Sequence, residues 1–135
     1  MFKYLLFFVT VSILIAAQNK VKKPSDEACT KLHEIFFTYT PAPNIEIYVE
    51  RYLDGKQIQH RVYKQFYKIE KIIFPLPCTY ILKTVEIHDP YLGNDLGTEK
   101  TWMITDIQKD FFEVAELKGN KLVDFKKNYF TKKKE

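Results

Sequence analysis

Serine is nearly absent from this chain. Ser12 and Ser25 are its only serines, and Ser12 lies inside an N-terminal apolar run. Ser25 stands directly before Asp26-Glu27, where a helix cap is expected, so serine nucleophile chemistry has no candidate. Glycine is scarce too. Gly55, Gly93, Gly97 and Gly119 are scattered, and no glycine-rich phosphate cradle is spelled. Cysteine is limited to Cys29 and Cys78, and His33, His60 and His88 lie far apart. Neither Cys-x-x-Cys nor His-x-x-x-His spacing occurs, which leaves a zinc-type site without its ligands. The acidic stretch Asp89, Asn94, Asp95, Glu99 lacks the alternating ligands and central glycine of a calcium loop. Nothing in the spacing of Asp106, Asp110, Glu113 and Glu116 selects an acid–base pair. No catalytic residue, metal or cofactor is expected, and the chain reads as a non-enzyme. There is also no Asn-x-Ser/Thr sequon, so N-glycosylation is not expected.

Apolar runs are confined to the start. Lys3 precedes an apolar segment from Leu5 to Ile15, and Ala16-Ala17 follow as small residues. That is the layout of a secretory signal peptide, here residues 1–17, too short for a bilayer span of about 20 residues. The expectation is a secreted, extracellular chain with no transmembrane segment after cleavage. What remains is one domain's worth, divided into a β-rich body, 18–125, and a basic tail, 126–135. In an oxidising compartment Cys29 and Cys78 most simply form one disulfide, closing a loop of about 50 residues for roughly 4 kcal/mol. Charge is similarly localised. The chain carries a formal +4, and Lys126, Lys127, Lys132, Lys133 and Lys134 stand against Glu135 in the tail. A body without spread basic residues argues against a nucleic-acid partner, whereas the lysine tail suits contact with polyanions or plain solvation.

Periodicity supplies the fold class. Ser25 as N-cap, acidic residues in the first turn and Cys29, Leu32, Ile35, Phe36 and Tyr39 at helical spacing predict a helix over 25–37. Ile45, Ile47, Val49 and Leu53 then alternate with Glu46, Tyr48, Glu50 and Tyr52 as in a half-buried strand. Asp54-Gly55 suits a two-residue hairpin turn. That turn sets Val62 opposite Ile47, His60 opposite Val49 and Ile58 opposite Arg51, so His60 belongs to the aliphatic face. Further strands are read at Cys78 to His88, Thr101 to Ile107, Phe111 to Leu117 and Lys121 to Phe125, the last pair turning at Gly119-Asn120. That second hairpin sets Val114 opposite Phe125 and Glu113 opposite Lys126. The expected architecture is mainly β (α+β): an N-terminal helix, then an antiparallel meander of about six strands. It either curls into a small barrel or wraps on the helix.

Residues Thr101 to Asn120 resemble the late strands of a lipocalin-like barrel, without a Gly-x-Trp near the mature N-terminus. A helix followed by an antiparallel sheet is similar to cystatins, but Gln-x-Val-x-Gly and Pro-Trp are missing. Neither resemblance transfers a residue role. The leading functional expectation is a secreted binding module that carries a small apolar or amphipathic ligand in a curled sheet. His60, Tyr80 and Trp102 are its candidate ligand-binding residues, since polar and aromatic groups on an inward face often line a cavity. The alternative is an effector or inhibitor that binds an extracellular protein through an exposed strand face bearing Tyr48, Tyr52 and Tyr63.

Overall fold

The computed structural model describes residues 23–135; the expected signal peptide lies outside them. The Ser25 hydroxyl accepts a hydrogen bond from the Ala28 N–H at 3.1 Å and caps α1, Asp26–Thr30. A single 3-10 turn, Lys31–His33, follows, and the helix expected to reach Phe37 goes no further. Ile35, Phe37 and Tyr39 also alternate with period two, in a run of aromatic and β-branched residues that favours strand. They form β1, Ile35–Ala42.

Seven more strands follow: β2, Ile45–Arg51; β3, Lys56–Val62; β4, Phe66–Leu76; β5, Thr79–His88; β6, Glu99–Ile107; β7, Phe111–Lys118; and β8, Lys121–Phe130. Each pairs antiparallel with its sequence neighbour, and β8 returns to β1 through Phe37–Phe130 and Thr38–Tyr129. The result is an up-and-down barrel of eight strands, in which no edge is left unpaired. The expected six strands omitted β1, hidden by its helix-compatible spacing, and β4, which Pro75 obscured. The returning strand of the first hairpin ends at Val62. The chain turns at Tyr63-Lys64-Gln65, with Lys64 at φ 62°. The tail expected to start at Lys126 is strand as far as Phe130.

Two registers depart from expectation by one residue, and both decide what the barrel contains. In the first hairpin only Gly55 has positive φ, 88°; Asp54 instead accepts a hydrogen bond from the Lys56 N–H at 3.1 Å. The loop is therefore Leu53-Asp54-Gly55, closed by Tyr52 N–H to the Lys56 carbonyl at 2.9 Å, and Tyr48 pairs with His60 and Val49 with Gln59. A one-residue slip inverts the returning strand. Gln57, Gln59 and Arg61 now share the inward side with Ile47, Val49 and Arg51. Ile58, His60 and Val62 point out, Val62 at 39 % exposure. The second shift lies in β8. The turn at Gly119-Asn120 pairs Lys118 with Lys121 as expected, but Asp124 takes φ 54° and the ladder slips, so Val114 pairs with Lys126 and Glu113 with Lys127. This bulge swings Lys126 inside and leaves Phe125 57 % exposed.

One end of the barrel is closed. Phe37, Val49, Ile72, Tyr80, Ile104, Phe112 and Val114 fill it, with Cys29 and Leu32 of the N-terminal segment over them. The Cys29–Cys78 disulfide ties that segment to the β4–β5 turn. His33 stacks on Phe74 with ring centroids 3.6 Å apart, and its Nε2 donates to the Pro77 carbonyl at 3.0 Å. The helix thus caps the barrel; the sheet does not wrap around it. No helix among the described residues is long and apolar enough to cross a membrane.

Candidate functional site: a polar cavity inside the barrel

Arg51 is the floor. Its side chain is 0 % exposed, with its guanidinium carbon 4.4 Å from the Tyr80 ring centre and 5.2 Å from that of Phe37. Nη1 donates to the Leu32 carbonyl at 3.2 Å and Nε to Gln57 Oε1 at 2.8 Å. From there a ladder of buried side chains climbs the interior. Gln57 Nε2 donates to Glu70 Oε1 at 3.0 Å, and Gln59 Nε2 donates to the same oxygen at 2.6 Å. The Tyr39 hydroxyl donates to Gln59 Oε1. These residues meet because β1, β2, β3 and β4 each put every second residue inside. The ladder keeps a buried carboxylate and a buried guanidinium in one hydrogen-bonded chain, without which either would be strongly disfavoured. Burial, with help from the Glu70 charge, drives the Tyr39 phenol far above its usual range and keeps it a hydroxyl donor.

Above the ladder lies a cavity of about 230 Å³, walled by Tyr39, Gln59, Lys68, Glu70, Leu82, Thr84, Lys100, Trp102 and Lys126, with Asp95 and Thr98 of the β5–β6 loop at its rim. Lys68 Nζ sits 3.9 Å from Glu70 and 3.7 Å from Asp95, while Lys100 reaches Glu116 at 3.8 Å. Lys126 behaves otherwise. Its ammonium lies 4.0 Å from the Tyr39 ring centre and 4.6 Å from that of Trp102. Burial, opposed by the Glu70 charge and reinforced by Lys68, Arg51 and Lys100, lowers its pKa to about 8. A second chamber of about 250 Å³ shares Tyr39, Gln59 and Lys68 with the first, and adds the apolar groups Pro41, Ile45, Ile47 and Leu92 together with Arg61 and Asp89. Those two charged residues brace its wall. Arg61 forks onto Asp89 at 2.8 and 3.1 Å, between the rings of Phe66 and Tyr91. Those hydrogen bonds hold the Asp89 carboxyl below its ordinary pKa.

The residues singled out from the sequence scatter across this architecture. Trp102 is in the cavity wall. Tyr80 lies beneath it against Arg51. His60 is on the outside of the barrel, a correction that follows from the three-residue hairpin loop. It is nevertheless only 5 % exposed. Its Nδ1 accepts the Lys64 N–H at 3.2 Å, which leaves Nε2 to donate to Glu50 Oε1 at 2.5 Å.

The expected open tyrosine face is also corrected: the chain's own C-terminus covers it. Thr131 N–H donates to the Phe36 carbonyl at 3.1 Å, and Lys134 N–H donates to the Tyr48 hydroxyl at 2.9 Å. The Tyr63 hydroxyl in turn donates to the Lys134 carbonyl at 3.0 Å. Tyr48 is left 2 % exposed; Tyr52, half-buried, donates to Glu50 at 2.5 Å.

Sequence reasoning missed the cavity's own polar set, Tyr39, Gln59, Lys68, Glu70 and Lys126. A signal existed for three of them: Gln59, Lys68 and Glu70 alternate with Ile58 and Ile69, as in strands whose polar side faces in. Among the described residues no group of three or more His, Cys, Asp or Glu side chains is placed to hold a metal ion. No protein-family model, curated protein or solved structure matches this chain.

Proposed function

We propose that this chain is a secreted, non-enzymatic carrier that holds a small amphipathic ligand inside its barrel. The observation that carries the reading is a pair of neighbouring chambers that share Tyr39, Gln59 and Lys68 in their walls, one rich in charged groups and the other adding Pro41, Ile45, Ile47 and Leu92. A ligand with a polar head and an apolar body matches that division, and enclosed sites with few convergent polar groups suit small molecules. The preformed ladder beneath favours binding, since its side chains are already ordered before a ligand arrives. Partner binding through Tyr48, Tyr52 and Tyr63 finds less support, because the strap at Lys134 would first have to leave.

Native mass spectrometry of gently purified mature protein, before and after exposure to small amphipaths, tests the reading. A stoichiometric added mass, with a change in Trp102 emission on titration, is expected. A bare mass throughout and an unresponsive Trp102 would overturn it.

A further inference from the structure

The charged groups that line the cavity are not equally satisfied. Glu70 Oε1 already receives two amide donors, and Lys68 stands by Oε2. Lys68 has Glu70 and Asp95 for company, and Lys100 has Glu116. Lys126 alone, delivered inward by the bulge at Asp124, has no hydrogen bond and no salt-bridge partner among the described residues. Ring faces 4.0 and 4.6 Å away attract a cation but accept none of its three N–H groups in the ordinary way. An ammonium so placed could be read as a clamp on two aromatic rings. A clamp, however, does not need to line an open cavity, as Lys126 does. An amine ligand fits poorly as well, since the carboxylates are already engaged and Lys68, Lys100 and Lys126 outnumber Glu70 and Asp95 in the lining.

We propose that Lys126 is the anion anchor of the cavity, and that the ligand is a small monoanionic amphipath with a carboxylate-type head. The head takes the free ammonium donors. The apolar body extends past Tyr39 toward Ile45, Ile47 and Leu92. This assignment rests on the carrier reading above and goes one step further, to the chemical class carried.

Octanoate, octan-1-ol and octylamine, which differ only in head group, separate the two levels when titrated calorimetrically into the full mature chain near neutral pH. Octanoate is expected to bind at least about tenfold more tightly than octan-1-ol. Lys126→Met should abolish that preference, bringing the octanoate and octan-1-ol affinities to within about threefold of each other, and Lys126→Arg should keep it. Lys126→Gln reads out the same loss should the Met variant not fold. Equal binding of octanoate and octan-1-ol to the natural protein overturns the anion anchor and leaves carriage standing. Preference for octylamine overturns it in favour of the carboxylates. Failure of all three probes to bind overturns both levels together.

Discussion

Replacing Lys126 by Met should make the empty protein more stable. The amine's pKa falls from 10.5 to about 8 on folding, with burial as the leading cause. A depression of that size corresponds to about 3 kcal/mol by which the charged form is disfavoured near neutral pH. Met keeps the unbranched stem and removes the charge. Against this stands the lost attraction of the ammonium to Tyr39 and Trp102, about 1–2 kcal/mol for a largely desolvated pair. The balance is a stabilisation of about 1–2 kcal/mol, or roughly 3–8 °C in Tm for a domain of this size.

The pH dependence carries the sign. Below about pH 8 both folded and unfolded chains hold the proton and the penalty is present in full; between about 8 and 10.5 only the unfolded chain holds it, so stability rises with pH. Above about pH 10 the buried Tyr39 hydroxyl works the other way, since its pKa is raised on folding and only the unfolded phenol ionises. The comparison therefore belongs between about pH 7 and 9.5, where the natural protein should close most of its gap to the variant. Thermal denaturation followed by circular dichroism, with the disulfide intact, measures both quantities. A Met variant less stable by more than about 1 kcal/mol at neutral pH would show that Lys126 is a clamp and refute the reasoning.

Further outcomes follow from the same contacts. Reducing the Cys29–Cys78 bridge, or replacing both cysteines by Ala, releases a loop with a sequence separation of 49. Urea unfolding should report a loss of roughly 3–4 kcal/mol, and a loss under about 1 would count against the bridge as the main tether of the cap. Arg51→Ala opens a void beneath Tyr80 and strips Gln57 and the Leu32 carbonyl of their donor, at a cost of about 3–5 kcal/mol in urea unfolding; an unchanged midpoint would dismiss the floor described above. Truncation after Phe130 removes the Lys134 hydrogen bonds to Tyr48 and Tyr63 and should cost about 1–2 kcal/mol. It should also expose Tyr48 to iodination while leaving octanoate affinity as it was. A shifted affinity would mean that the strap and the cavity are coupled.

Local chemistry was legible wherever a residue acts through its immediate neighbours. Ser25 before Asp26-Glu27 caps a helix on any scaffold, and Gly119-Asn120 turns a hairpin with little help from outside. The alternation of Ile45, Ile47 and Val49 marked a strand with one inward side, and β6 was equally plain from Thr101 to Ile107. Besides the missed strands β1 and β4, the reading failed at two places by one residue. Asp54-Gly55 fits two hairpin loops that differ in the φ of Asp54, and the choice between them decides whether His60 or Gln59 enters the barrel. The bulge at Asp124 has the same force: without it the expected pairing of Glu113 with Lys126 leaves that lysine in water, and with it the lysine reaches Trp102.

The sequence by itself determined the cap, most of the strands and the pairing of two lone cysteines, because each depends on nearest-neighbour preferences or on counting. Tertiary structure alone decided that the sheet closes on itself, that the lysine tail straps Tyr48, and that Lys126 joins Glu70 and Gln59 in one cavity. Side-chain direction in a strand reverses with every residue, so closure across β1 and β8, far apart in the chain, selected the registers that local preference left balanced.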